Sequence, residues 1–143
     1  MNRYRDLTRE ELEAVEPDVI QFLSESGVTA KDWETWKAAG DARVAELIAE
    51  FSVGFWDRAT AQINYLERRS GDEVWVFSFG EDRASLIRCV MEKGEATWYR
   101  GEKQFEQEAR GREIFLLLEQ GAQPTDAARW EAMEQAMNGS DVS

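Results

Sequence analysis

The chain contains no histidine in 143 residues. That absence excludes Ser-His-Asp triads, Cys-His pairs and histidine-ligated zinc sites together, because each needs an imidazole as base or ligand. Cysteine is almost missing too. Cys89 stands alone, so neither an internal disulfide nor a thiolate cluster can form. It lies in the apolar run "SLIRCVM", where a cysteine packs as a small hydrophobe, and no imidazole is present to activate it. With 2 prolines there is no Pro-rich linker, and no repeat or low-complexity stretch divides the chain, so one domain over 1–143 is expected. Long apolar runs are also lacking. The longest, Ile114 to Leu118, is far too short to cross a bilayer, and "MNRYRDLTREEL" carries no apolar signal segment. A cytoplasmic location is the expectation.

What the chain has in plenty is acid: 29 Asp and Glu against 17 Lys and Arg, a formal charge of −12. Such a surface repels phosphates and anionic headgroups, so neither nucleic acid nor membrane is expected as a partner. It favours solubility or a basic protein. The charge is uneven, with 7 basic against 13 acidic side chains over 1–60, 6 against 7 over 61–100, and 4 against 9 over 101–143. The middle is nearly neutral.

That middle is also where the texture changes. Thr8-Arg9-Glu10-Glu11 is a capping box, and Leu12, Val15, Val19, Phe22 and Leu23 follow at helical spacing. Pro17 falls on the side opposite this stripe, which suggests one kinked helix over roughly 8–26, with two shorter helices as the alternative. A second segment from Thr29 to Gly40 carries Trp33 and Trp36. A third, from Asp41, aligns Val44, Leu47, Ile48, Phe51, Phe55 and Ala59, with Gly54 as a point of possible distortion. The period then drops to 2, placing strands at about 63–69, 73–79, 84–91 and 95–100 joined by short turns. Helical spacing returns from about 102, and Pro124 or Thr125 starts a last helix with Ala127, Trp130, Met133 and Met137 on one side. The reading is α+β: N-terminal helices over 8–60, a four-stranded antiparallel meander over 63–100, two C-terminal helices over 102–138, and a frayed tail over 139–143.

Both faces of the central strands are apolar. Trp75, Phe77 and Phe79 alternate with Val74 and Val76, and Ile87, Cys89 and Met91 with Leu86 and Val90. An antiparallel sheet with one wet face should not read so. Either the N-terminal helices cover one face and the C-terminal pair the other, or an aromatic patch stays open for a partner. The residues expected to form that patch are Tyr65, Trp75, Phe77, Phe79 and Trp98.

Chemistry has little to work with. Glu10 and Glu13, Glu46 and Glu50, and Glu102 and Glu106 sit at helix-neighbour spacing, which a magnesium site can use but a solvated acidic face produces equally. "SGDE" and "GEDR" lack calcium-loop spacing, and the glycines form no phosphate-binding pattern. Arg68, Arg69, Arg83, Arg88 and Arg100 gather in the meander, where pairing with acidic helices competes with holding an anion or acidic peptide. Arg112, on an otherwise apolar side, is expected to have a carboxylate partner.

The pieces "YRDLTREEL", "IQFLSESGV" with "DWETW", "ELIAEFS" and "YLERRSGDEVWVF" resemble an uncharacterised family, a domain of unknown function, of small acidic bacterial cytoplasmic proteins. The resemblance spans the first half of the chain and implies a bacterial cytoplasmic setting. It brings no functional residues with it. The expected function is a non-enzymatic protein-interaction module, a homodimer or a binder of a protein partner, with no cofactor and no metal. Alternatives are a carboxylate-based, metal-dependent hydrolase using Glu46 and Glu50, and an acidic nucleic-acid mimic that inhibits a basic DNA-binding protein.

Overall fold

The computed structural model describes residues 4–140. Its contacts gather into two compact units that divide between Arg58 and Ala59. The fold is α+β, as expected, with one strand more than the sequence suggested.

The first unit is helical: α1 (Arg9–Ala14), α2 (Glu16–Glu25), α3 (Ala30–Ala39) and most of α4 (Ala42–Ala61). Thr8 opens α1 through a capping box, its hydroxyl accepting from the Glu11 amide at 3.2 Å while Glu11 accepts from the Thr8 amide at 2.8 Å. The single kinked helix over 8–26 is not what forms. The chain breaks at Val15 (φ −117°, ψ 29°), and Pro17 sits in the first turn of α2. Proline has no N–H to give and its ring crowds the preceding turn, so starting a new helix costs less than bending an old one. Thr29 and Asp32 repeat the capping box at α3, and Gly40 (φ 64°) closes it in the left-handed conformation. Gly54 brings no break, since α4 runs through it.

The stripes read from sequence meet one another. Leu12, Val19, Phe22, Leu23, Trp33, Leu47, Ile48 and Phe51 converge on one small void of ≈ 20 Å³. Phe22 meets Phe51 edge-on at 5.5 Å. Buried Ser52 is satisfied by the Leu7 amide, which donates to its Oγ at 2.8 Å.

The second unit is a sheet with a helix on each face. Its strands are β1 (Tyr65–Ser70), β2 (Glu73–Phe79), β3 (Arg83–Glu92), β4 (Glu95–Gln104) and β5 (Gln123–Thr125), in the order β4-β3-β2-β1-β5 and antiparallel throughout. A short 3₁₀ turn (Gln107–Ala109) leads into α5 (Arg110–Glu119), and α6 (Ala127–Ser140) follows β5. Each hairpin closes on two residues: Gly71-Asp72, Glu81-Asp82 and Lys93-Gly94. The last has both residues at positive φ, 53° and 80°, as a type I′ turn requires.

Two boundaries differ from the sequence reading. β4 continues to Gln104, because Lys103 and Gln104 stay in register with Ala84 and Arg83, and α5 begins only at Arg110. Pro124 and Thr125 do not start a helix; they add an edge strand to β1. Pro124 lies opposite Leu66, whose amide and carbonyl serve β2, so its missing N–H costs no ladder bond. The last helix waits for Asp126, whose carboxylate accepts from the Arg129 amide at 3.0 Å. Gly139 and Ser140 are helical rather than frayed, and 141–143 lie outside the described residues. No helix among the described residues is long and apolar enough to cross a membrane.

The two C-terminal helices do not share a face. Trp130, Met133 and Met137 of α6 pack on Val76 and Ile87, both fully buried. Ile114, Leu117 and Leu118 gather with Leu66, Phe77 and Phe79 on the opposite face. One late helix per face explains why the central strands are apolar on both sides.

Candidate docking surface

The three two-residue turns fix the pairing, and the pairing builds rows across the sheet. On the face that α5 covers, Leu66, Phe77 and Leu86 stand opposite one another, as do Phe79 and Ala84. Toward the other end of the same face the next row reads Arg68, Trp75, Arg88, Tyr99, each opposite the next across β1, β2, β3 and β4. The Arg68 guanidinium carbon lies 5.0 Å from the Trp75 ring centre. That of Arg88 lies 5.4 Å from Trp75 and 5.0 Å from Tyr99. Cations on aromatic faces attract the negative face of the ring quadrupole, so the row is a continuous stack of alternating charge and ring.

The row is half open. Trp75, Arg68 and Arg88 are half-buried, and Tyr99 is 49% exposed. Arg88 donates from Nη2 to Glu73 at 2.7 Å, but its Nε is buried without a hydrogen-bond acceptor. Arg68 has no ion pair among the described residues and leans only on Trp75.

The five aromatic residues expected to form one patch are therefore dispersed. Tyr65 and Trp98 pack against the α6 cluster, Phe77 and buried Phe79 join the α5 cluster, and Phe79 stacks on Phe105 at 6.0 Å. Trp75 alone sits in the open row. Sequence reasoning did not align Arg68 and Arg88 with it, although the signal was present: two-residue turns place residues 68, 75, 88 and 99 on one line.

Most other meander arginines pair internally. Arg69 meets Glu67 at 3.1 Å and Arg100 meets Glu134 of α6 at 3.5 Å, while Arg83 is exposed. Glu67 also accepts from Arg129 of α6. Burial pushes the Glu67 carboxyl up, but the hydrogen bonds from Arg129 and Arg69 outweigh it and leave it below its ordinary value. Arg112 is exposed, contrary to expectation. The tethered arginine is Arg110, which donates to the carbonyls of Gly80 (2.8 Å), Thr60 (3.3 Å) and Ile63 (2.9 Å) and to Asn64 Oδ1 (3.1 Å).

Glu46 and Glu50 are exposed on α4, and Glu102 lies in β4, so Glu102 and Glu106 are not helix neighbours. Among the described residues no three His, Cys, Asp or Glu side chains are grouped so as to hold a metal ion. A shallow groove of ≈ 280 Å³ runs along β5, lined by Glu67, Arg69, Gly121, Gln123, Pro124 and Thr125.

A model of a family of unknown function, DUF6495, matches residues 1–97, and the chain belongs to that family. The match takes in the helical unit and reaches Thr97 of β4. Comparison with curated proteins and with solved structures gives no match.

Proposed function

We propose that this member of the family is a non-enzymatic protein-interaction module that holds a protein partner on its meander. The observation that carries the reading is the Arg68–Trp75–Arg88–Tyr99 row, which spans all four meander strands at the end of the sheet that the α5 cluster does not reach. Tryptophan, tyrosine and arginine are the side chains that dominate binding energy at protein interfaces, because each offers a large, stiff surface with a polar tip. Here they are pre-stacked, so little rotamer freedom remains to be lost on docking. The net charge of −12 disfavours nucleic acid and anionic membrane, which supports a protein as the partner. A bacterial cytoplasmic setting belongs to the same proposal and comes from the resemblance alone.

The test is affinity capture from cytoplasmic extract with the wild type and with Trp75→Lys. The variant should keep the wild-type circular dichroism and urea midpoint yet capture no stoichiometric partner. Wild type that captures none, or a Trp75→Lys chain that captures as well as wild type, would refute the proposal. A variant that unfolds would also refute it, by showing that the ring belongs to the unit's own core.

A further inference from the structure

The open edge of the sheet carries an inference separate from its open row. Among the described residues no strand lies beyond β4, which is ten residues long and mostly exposed. Its hydrogen-bond parity is fixed at both ends. The two-residue turn makes Glu92 and Glu95 a bonded pair, and the Phe105 amide donates to the Asp82 carbonyl at 2.9 Å. Glu95, Thr97, Tyr99, Gly101 and Lys103 therefore serve β3, while Ala96, Arg100, Glu102 and Gln104 turn their amides and carbonyls to the outside. Edges of this length are normally guarded by a proline, a bulge, a short strand or charged side chains, and the charges β4 carries, Glu95, Arg100, Glu102 and Lys103, are of both signs and so can pair across an antiparallel seam. β4 has no proline and no bulge, and its register is unbroken from Glu95 to Gln104.

Gly101 lies in the middle of this edge. Its φ is not in the left-handed region, and a Cβ built on it would meet nothing within 4 Å. Neither backbone conformation nor crowding within the described residues calls for glycine there, and glycine weakens a strand interior. Glycine there leaves no side chain beside the edge, so a second strand laid along β4 meets no bulk at this position.

We propose that β4 pairs antiparallel with β4 of a second copy of this chain, about a two-fold axis at Gly101. Arg100 of each copy then faces Glu102 of the other, twice over, and Tyr99 faces Lys103. The two glycines meet at the axis as a non-hydrogen-bonded pair, where strands come closest at about 4.5 Å between Cα atoms. Neighbouring registers are disfavoured by charge. An axis at Arg100 sets two arginines against each other, and an axis at Glu102 sets two glutamates. An axis at Tyr99 leaves the Arg100–Glu102 pairs unmade and draws on Lys103, which already holds Glu113 at 2.8 Å. Arg100 is 48% exposed, and its contact with Glu134 is loose enough, at 3.5 Å, to be shared.

Light scattering and sedimentation on the full chain at near-physiological salt test this. Wild type is expected at twice 16.4 kDa. Arg100→Glu and Glu102→Arg each set like charges face to face and should weaken the dimer at least about tenfold, while the double exchange restores it to within about threefold. Glu102→Pro removes an outward N–H that β3 does not use and should give a folded monomer. Trp75→Lys should leave the dimer intact, which keeps this outcome apart from that of the docking row. A wild-type monomer at high micromolar concentration would overturn the proposal. So would a double exchange that fails to restore association, or loss of the dimer in Trp75→Lys.

Discussion

Replacing Arg110 with methionine is expected to destabilise the second unit by about 3 kcal/mol. The side chain is a clamp: one guanidinium donates to the end of α4 at Thr60, to Ile63 and Asn64 ahead of β1, and to Gly80 at the β2–β3 turn. Burial pushes its pKa below the usual arginine value, with the Glu81 charge opposing. The bonds to Thr60 and Ile63 are partly buried; those to Gly80 and Asn64 are exposed. Two partly buried bonds from a charged donor contribute roughly 1–1.5 kcal/mol each after solvent screening, and the exposed ones a few tenths. Methionine keeps most of the apolar stem, so packing changes little. With a urea m-value of about 1.5 kcal/mol/M, the midpoint should fall by roughly 2 M. Arg112→Met makes the same change of charge two residues away on an exposed side chain and should shift stability by less than about 0.5 kcal/mol. Equal midpoints for the two variants would show that the clamp contributes nothing.

Ile87 is 0% exposed between β2 and α6, so Ile87→Ala should cost about 2–5 kcal/mol in denaturant unfolding, whereas Met91→Ala, at 43% exposure, should be nearly silent. Arg5 holds the Glu11 carboxyl down to about 2 from 4.5, and Glu67 is also held below 4.5. Carboxyls depressed in the fold stabilise it above their unfolded pKa and lose that contribution as pH falls through the folded value. Stability should therefore hold down to about pH 5 and decline below it, and Glu67→Gln should flatten that decline in the second unit; an unchanged acid limb would contradict the assignment. Burial pushes the Cys89 thiol up, so alkylation at neutral pH should be slow in the native protein and fast in urea, as mass spectrometry can follow.

The elements were legible where local chemistry is decisive. The capping box at Thr8, the helix start at Thr29, the glycine stop at 40 and the Lys93-Gly94 turn mark boundaries through backbone hydrogen bonds that neighbouring residues satisfy. The misreadings arose where a distant partner decides. β5 exists only because β1 offers an edge sixty residues earlier in the chain, and no periodicity in three residues announces that. The fourth strand was expected to end near residue 100, yet β3 carries β4 on through Gly101 to Gln104. The candidate surface was half legible: alternation placed Trp75 correctly on its face, but the arginines that frame it became visible only once pairing set the rows.

The placement of α5 and α6 has a consequence for how the protein is made. On the ribosome the whole meander, through Gln104, is synthesised before either covering helix, and the last turn of α6 needs residues up to 140. At about 5–20 residues per second, one face of the sheet waits roughly one to three seconds for α5 and the other roughly two to seven for α6. Until those helices arrive the nascent sheet lacks its own cover, and the acidic residues on the segments already made help to keep it from sticking to its neighbours.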